Sequence, residues 1–91
     1  METIRRVVIL VRGRVQGVGY RYSAYQVASG LDLKGFVKNL GDGSVQLEAE
    51  GAQDSLMVLV EWCKKGPARA VVDSVDYSFE HPVNFVKFQI R

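Results

Sequence analysis

Hydrophobic and polar positions alternate along this chain with two periods, and the switches between them delimit its elements. Arg5 to Arg12 carries the run Val7-Val8-Ile9-Leu10-Val11, apolar on both faces, which predicts a strand at a central position in a sheet, ending at Gly13. From position 20 the period lengthens. Tyr20, Ala24, Val27, Ala28 and Leu31 recur at helical spacing with Arg21, Tyr22, Tyr25, Gln26 and Ser29 on other faces, an amphipathic helix of about three turns that closes near Gly30. Phe36 to Lys38 form a short strand stopping at Asn39, and Gly41-Asp42-Gly43 supplies a tight reversal. In Ser44 to Glu50, Val45, Leu47 and Ala49 alternate with Ser44, Gln46, Glu48 and Glu50, so one face is expected buried and the other wet.

A second helix follows Gly51. Leu56, Leu59, Val60 and Cys63 stand at i, i+3, i+4 and i+7, Asp54 occupies the first turn, and Lys64-Lys65-Gly66-Pro67 closes the segment. Ala70 to Phe79 alternates again, with Val71, Val75, Tyr77 and Phe79 expected inward and Asp73 breaking the pattern. His81-Pro82 marks a turn, after which Val86, Phe88 and Ile90 predict a last strand. The order is β-α-β-β-α-β plus one terminal strand. Two helices on one face of an antiparallel sheet bury all these apolar faces, which is the ferredoxin-like α+β sandwich.

Size and composition narrow the classes. Ninety-one residues make one domain, 1–91, and 47% apolar with 24% charged residues is an ordinary globular composition. A net charge of +2 is too small to argue for nucleic acid, and no stretch approaches a membrane span. One cysteine makes no internal disulfide, and Met1 to Arg6 is polar, so a cytoplasmic protein is expected.

The stretch with chemistry in it is Gly13-Arg14-Val15-Gln16-Gly17-Val18-Gly19-Tyr20-Arg21, between the first strand and the first helix. Three glycines in seven residues let the backbone curl with N–H groups inward, and a helix N-terminus adds free donors and partial positive charge, a cradle for an anion. Arg21 in the first turn opposes the dipole unless an anion binds there. A tight turn with solvated arginines accounts for any single residue of the stretch, but less well for the combination. A P-loop needs Lys and then Ser or Thr after its last glycine, a dinucleotide fingerprint needs a small residue where Tyr22 stands, and Cys63 is too distant for a cysteine phosphatase loop. Asn39 has both a donor and an acceptor to hold a water in line with a bound phosphorus; the competing role is a turn former ahead of Gly41-Asp42-Gly43. His81, Cys63, Trp62, Tyr77 and Lys64-Lys65 read as structural or solvated positions.

These residues resemble the acylphosphatase family. Its Gly-x-Val-Gln-Gly-Val-Gly-Phe-Arg loop is matched by Gly13 to Arg21, and its Gly-Trp-Val-x-Asn-x-x-Asp-Gly motif by Gly35-Phe36-Val37-Lys38-Asn39-Leu40-Gly41-Asp42-Gly43; the likeness extends through Gly66 to Val71 and Phe88-Gln89-Ile90. The resemblance implies hydrolysis of carboxylic-phosphoric mixed anhydrides without metal or cofactor. By position, Arg21 and the backbone N–H groups of Val15, Gln16, Gly17, Val18, Gly19 and Tyr20 bind the phosphoryl group, and Asn39 orients the water. Its partners are then an acyl phosphate and inorganic phosphate, as product and inhibitor, with no nucleic acid or membrane, and a monomer is expected.

Three positions depart from the family pattern. Tyr20 replaces Phe and Phe36 replaces Trp, which bears on substrate preference. Leu31-Asp32-Leu33 replaces Leu-Gly-Leu, so a left-handed helix end is expected to be held by Asp at a cost of about 1 kcal/mol. Two other readings stand beside the enzyme: a ferredoxin-like RNA or ligand-binding module, which Glu48 and Glu50 on the open face disfavour, and a sensor of acyl phosphates that has kept only the loop.

Overall fold

The computed structural model describes residues 3–91. Its elements are β1 (Arg5–Arg14), α1 (Tyr20–Gly30), β2 (Lys34–Asn39), β3 (Val45–Gly51), α2 (Gln53–Lys65), β4 (Val71–Glu80) and β5 (Phe88–Ile90). The strands form one sheet in the order β4-β1-β3-β2-β5, with β1 inside it as its two-faced apolar run predicts. β1 pairs antiparallel with β3 and β4, and β2 antiparallel with β3, but β5 joins β2 in parallel. The sheet is therefore mixed at this edge, where the sequence pattern predicts an antiparallel one. β4 ends where β1 and β2 begin, so a strand returning from it on the far edge runs alongside β2 in the same direction.

Both helices bury their apolar stripes on the same face. Val7, Ile9 and Val11 of β1 and Val45, Leu47 and Ala49 of β3 share one core with Tyr20, Ala24 and Ala28 of α1 and Leu56, Leu59, Val60 and Cys63 of α2. The architecture is the ferredoxin-like α+β fold. α1 ends in a Schellman arrangement: the N–H of Asp32 donates to the Ser29 carbonyl (3.0 Å) and that of Leu33 to the Ala28 carbonyl (2.9 Å), with Asp32 left-handed at φ 59°.

Several strand details differ from the sequence pattern. β1 runs on through Gly13 to Arg14, and its pairing jumps from Arg12–Ser74 to Gly13–Val72, which leaves Asp73 as the extra residue of a β-bulge. The bulge flips the alternation, so upstream of it Val72, not Val71, packs on the core, and Val71 is exposed. A Cβ on Gly13 would overlap the Val71 carbonyl oxygen, which explains a glycine at this crossing. Tyr77 is half-exposed and meets the Phe79 ring edge-on at 6.1 Å. Val86 lies outside β5 and is exposed.

The face of β3 expected to be wet is partly covered. Residues 81–87 form a strap from β4 to β5, and the buried Glu50 carboxylate accepts the main-chain N–H groups of Val83, Asn84 (3.2 Å) and Phe85 (2.8 Å). Phe85 meets Phe36 edge-on at 5.9 Å. Glu48 pairs with Arg6 at 2.8 Å. Ser44 is buried too, its hydroxyl donating to Asp42 at 2.5 Å.

Candidate active site

The loop between β1 and α1 is pinned at both ends and open between. Val15 is buried, and Tyr20 begins α1 inside the core. Gly17 and Gly19 adopt φ of 74° and 81°, the left-handed conformation that costs an L side chain about 1 kcal/mol or more. Gly19 is the N-cap, so no side chain caps the helix, and no acidic residue stands in its first turn. Among the described residues nothing accepts a hydrogen bond from the main-chain N–H groups of Gln16 to Tyr20. These donors sit at the positive end of the α1 dipole, available to an anion.

Arg21 follows in the first turn of α1. Its Nη1 donates to the main-chain oxygen of Arg91 at 2.8 Å, and the Arg91 N–H donates to the Val37 carbonyl at 2.8 Å, so the guanidinium is braced against the β2–β5 edge. One of five N–H donors is used in this way, and four remain.

Asn39 is the last residue of β2, paired with Val45 of β3. Its Oδ1 is buried without a hydrogen-bond partner among the described residues. An orphaned buried acceptor costs about 1–3 kcal/mol, a cost relieved by a donor such as water. The β2–β3 turn that holds Asn39 is tied down by Asp42, which accepts from the Ser44 hydroxyl and from the Ser44 N–H at 3.0 Å. Those two bonds, and secondarily the Arg12 charge, hold the Asp42 carboxyl below its ordinary value.

Arg21 and Asn39 line one cleft of about 220 Å³, together with Val15, Gly17, Gly19 and Tyr20 of the loop. Gln16 and Val18 do not line it. The Gln16 side chain donates to the carbonyls of Leu40 (2.8 Å) and Ser44 (2.9 Å), and Val18 packs on the core. A larger depression of about 410 Å³ at the other end of β1 includes Arg5 and His81. It is a poorer candidate, because Arg5 is engaged by Gln53 at 2.7 Å and lies over the Phe79 ring at 4.1 Å. Among the described residues no three His, Cys, Asp or Glu side chains cluster as metal ligands.

The family model for acylphosphatases matches residues 7–90. The chain belongs to the acylphosphatase family. It is 46% identical over 86 residues to an acylphosphatase of Trichormus variabilis, covering 94% of this chain and 85% of that one. Identity to an acylphosphatase of Marinobacter nauticus is 55% over 73 residues, 80% of this chain and 79% of the other. The solved structure of an acylphosphatase from Coxiella burnetii superposes with a TM-score of 0.93 at 39% identity, covering 97% and 93% of the two chains. The chemistry of the family is hydrolysis of acyl phosphates, and this chain is a hydrolase acting on such acid anhydrides.

Two residues of the acylphosphatase cleft escape a motif-based reading. Tyr22 and Ile90 line it beside Arg21 and Asn39. The sequence signal for Tyr22 is an aromatic off the apolar stripe of α1, directly after Arg21. Ile90 carries no such signal, because its place beside the loop depends on the parallel pairing of β5 with β2.

Proposed function

We propose that the cleft hydrolyses acyl phosphates by positioning and charge stabilisation alone, with Arg21 and the main-chain N–H groups of Val15 to Tyr20 holding the phosphoryl group and Asn39 orienting the attacking water. The observation that carries this reading is the meeting in one cleft of Arg21, the donor loop and the unpartnered Oδ1 of Asn39. A water donating one proton to that oxygen keeps a lone pair for phosphorus. Its oxygen bonds to phosphorus as the bond from phosphorus to the carboxylate oxygen breaks, and the carboxylate leaves with that electron pair. The water's proton passes to a phosphoryl oxygen. Charge on the equatorial oxygens is met by the guanidinium fork and the loop donors.

This route asks for no nucleophilic side chain and no metal, since the leaving group is already good and Arg21 supplies the positive charge. The same reading takes 1–91 as one domain, acting as a cytoplasmic monomer, with inorganic phosphate as product and competitor. No helix among the described residues is long and apolar enough to cross a membrane.

The test is hydrolysis of acetyl phosphate by the purified protein in chelator, with inorganic phosphate as competitor and Arg21→Ala and Asn39→Ala alongside. Turnover that survives the chelator, is inhibited by phosphate and falls by on the order of 10²–10³ in each variant is expected. Near-normal turnover in either variant removes that residue from the mechanism. Phosphate binding without turnover would make the protein a sensor instead.

A further inference from the structure

The cleft has an apolar side that the phosphoryl chemistry does not use. Tyr22 and Ile90 line it, are 60% and 43% exposed, and belong to no part of the core. They come from different elements. Tyr22 directly follows Arg21 in α1, and Ile90 directly precedes Arg91, whose main-chain oxygen holds the Arg21 guanidinium. The two side chains therefore reach the cleft that Arg21 lines from two different elements. A single exposed hydrophobic residue is normal, but two converging on one cleft leave apolar surface where a ligand can cover it.

We propose that Tyr22 and Ile90 form an acyl-binding shelf that makes this chain selective for acyl phosphates with aromatic or branched aliphatic acyl groups. The inference rests on the functional reading above, because the phosphoryl group must first be fixed by Arg21 and the loop. Only one bridging oxygen then separates phosphorus from the acyl carbon, so the acyl group lies within the same small cleft. Among the described residues Arg21 is the only charged side chain lining it, and it is committed to the phosphoryl oxygens and to Arg91. An aromatic acyl group can stack on the Tyr22 ring and cover Ile90, removing apolar surface from water. An acetyl group is too short to cover both, and an acyl chain ending in a carboxylate gains nothing from either.

The experiment compares kcat/KM for benzoyl phosphate and acetyl phosphate in the wild-type protein and in Tyr22→Ala, Ile90→Ala and Tyr22→Phe, with the inhibition constant of inorganic phosphate measured for each. The benzoyl-to-acetyl ratio is expected to fall about tenfold in Tyr22→Ala and several-fold in Ile90→Ala, and to hold in Tyr22→Phe, which keeps the ring. The phosphate inhibition constant, which senses no acyl group, is expected to move less than about twofold. A ratio unchanged in both alanine variants, or an equal loss on both substrates, overturns the shelf. Arg21→Ala serves as a separate arm. If it turned over both substrates normally, the functional reading beneath the shelf would fail, whatever the ratio did.

Discussion

The Tyr20 hydroxyl donates a 2.8 Å hydrogen bond to the main-chain carbonyl of Cys63, joining the first residue of α1 to the last turn of α2. The last four carbonyls of a helix lack intrahelical partners, so this bond caps α2 from its neighbour. The Tyr20 ring also lies tilted against Trp62 at 5.1 Å. The family motif has Phe here, and in this chain the added hydroxyl serves helix packing. Tyr20→Phe is expected to lower stability by about 1 kcal/mol, read as a lower urea midpoint at unchanged slope and a melting temperature lower by about 5 °C. An unchanged midpoint would show that the bond contributes nothing net.

Alkaline pH should destabilise the fold through the same two residues. Burial pushes the Cys63 thiol up from about 9 to about 12, and burial, together with the neighbouring Cys63, raises the Tyr20 phenol well above its ordinary value. Between about pH 9 and 12 the unfolded chain releases the thiol proton while the folded chain retains it. Stability is therefore fully present below pH 9 and falls as pH rises, with a slope approaching about 1.4 kcal/mol per unit for this group. Denaturant midpoints from pH 8 to 11 should show the decline, and Cys63→Ala should make it shallower, leaving the part above about pH 10 that the buried Tyr20 phenol contributes. At pH 8 the native thiol should react with a disulfide reagent only as fast as the protein opens.

The end of α1 offers a stabilising pair of changes. Asp32 carries the left-handed φ of 59° that a glycine adopts without strain, whereas Gly30 sits two residues too early, inside the helix and with open space where a Cβ would stand. Asp32→Gly is expected to gain about 1 kcal/mol, and Gly30→Ala about 0.5–1 kcal/mol. The Lys34–Asp32 pair lost in the first change is 3.3 Å long and exposed, too weak to offset the gain. Thermal denaturation of the single and double variants tests both values. A lower melting temperature for Asp32→Gly would mean that Asp32 is not strained.

Local periodicity identified every element, because each apolar stripe had to face the one core. What depended on distant pairing was not legible. Asp73 was visible as a break in β4, but only its place opposite the Arg12–Gly13 step shows that it inverts the two valines before it. Glu50 read as a wet position, and became a buried anchor because the strap returns to it from more than thirty residues away. In the cleft, Arg21 and Asn39 could be named from motifs of contiguous residues. Ile90 could not, since nothing near it in sequence says which strand it will join.

The Gln16 side chain ties the donor loop to the β2–β3 turn behind the cleft. Both donors of its amide are spent on the β2–β3 turn, at Leu40 and Ser44, so it fixes the distance from the donor loop to Asn39. Gln16→Glu keeps the shape but places a carboxylate against two carbonyls, which pushes the turn and Asn39 away from the loop. Small displacements of a positioned water are costly, and kcat is expected to fall at least about tenfold at pH 7. Protonating the new carboxyl restores one donor, so part of the loss should return as pH drops toward 5, its titration being raised by the carbonyls around it. Gln16→Leu should lose as much and recover nothing. Wild-type kcat in both variants would show that the loop and the turn hold their positions without this bridge.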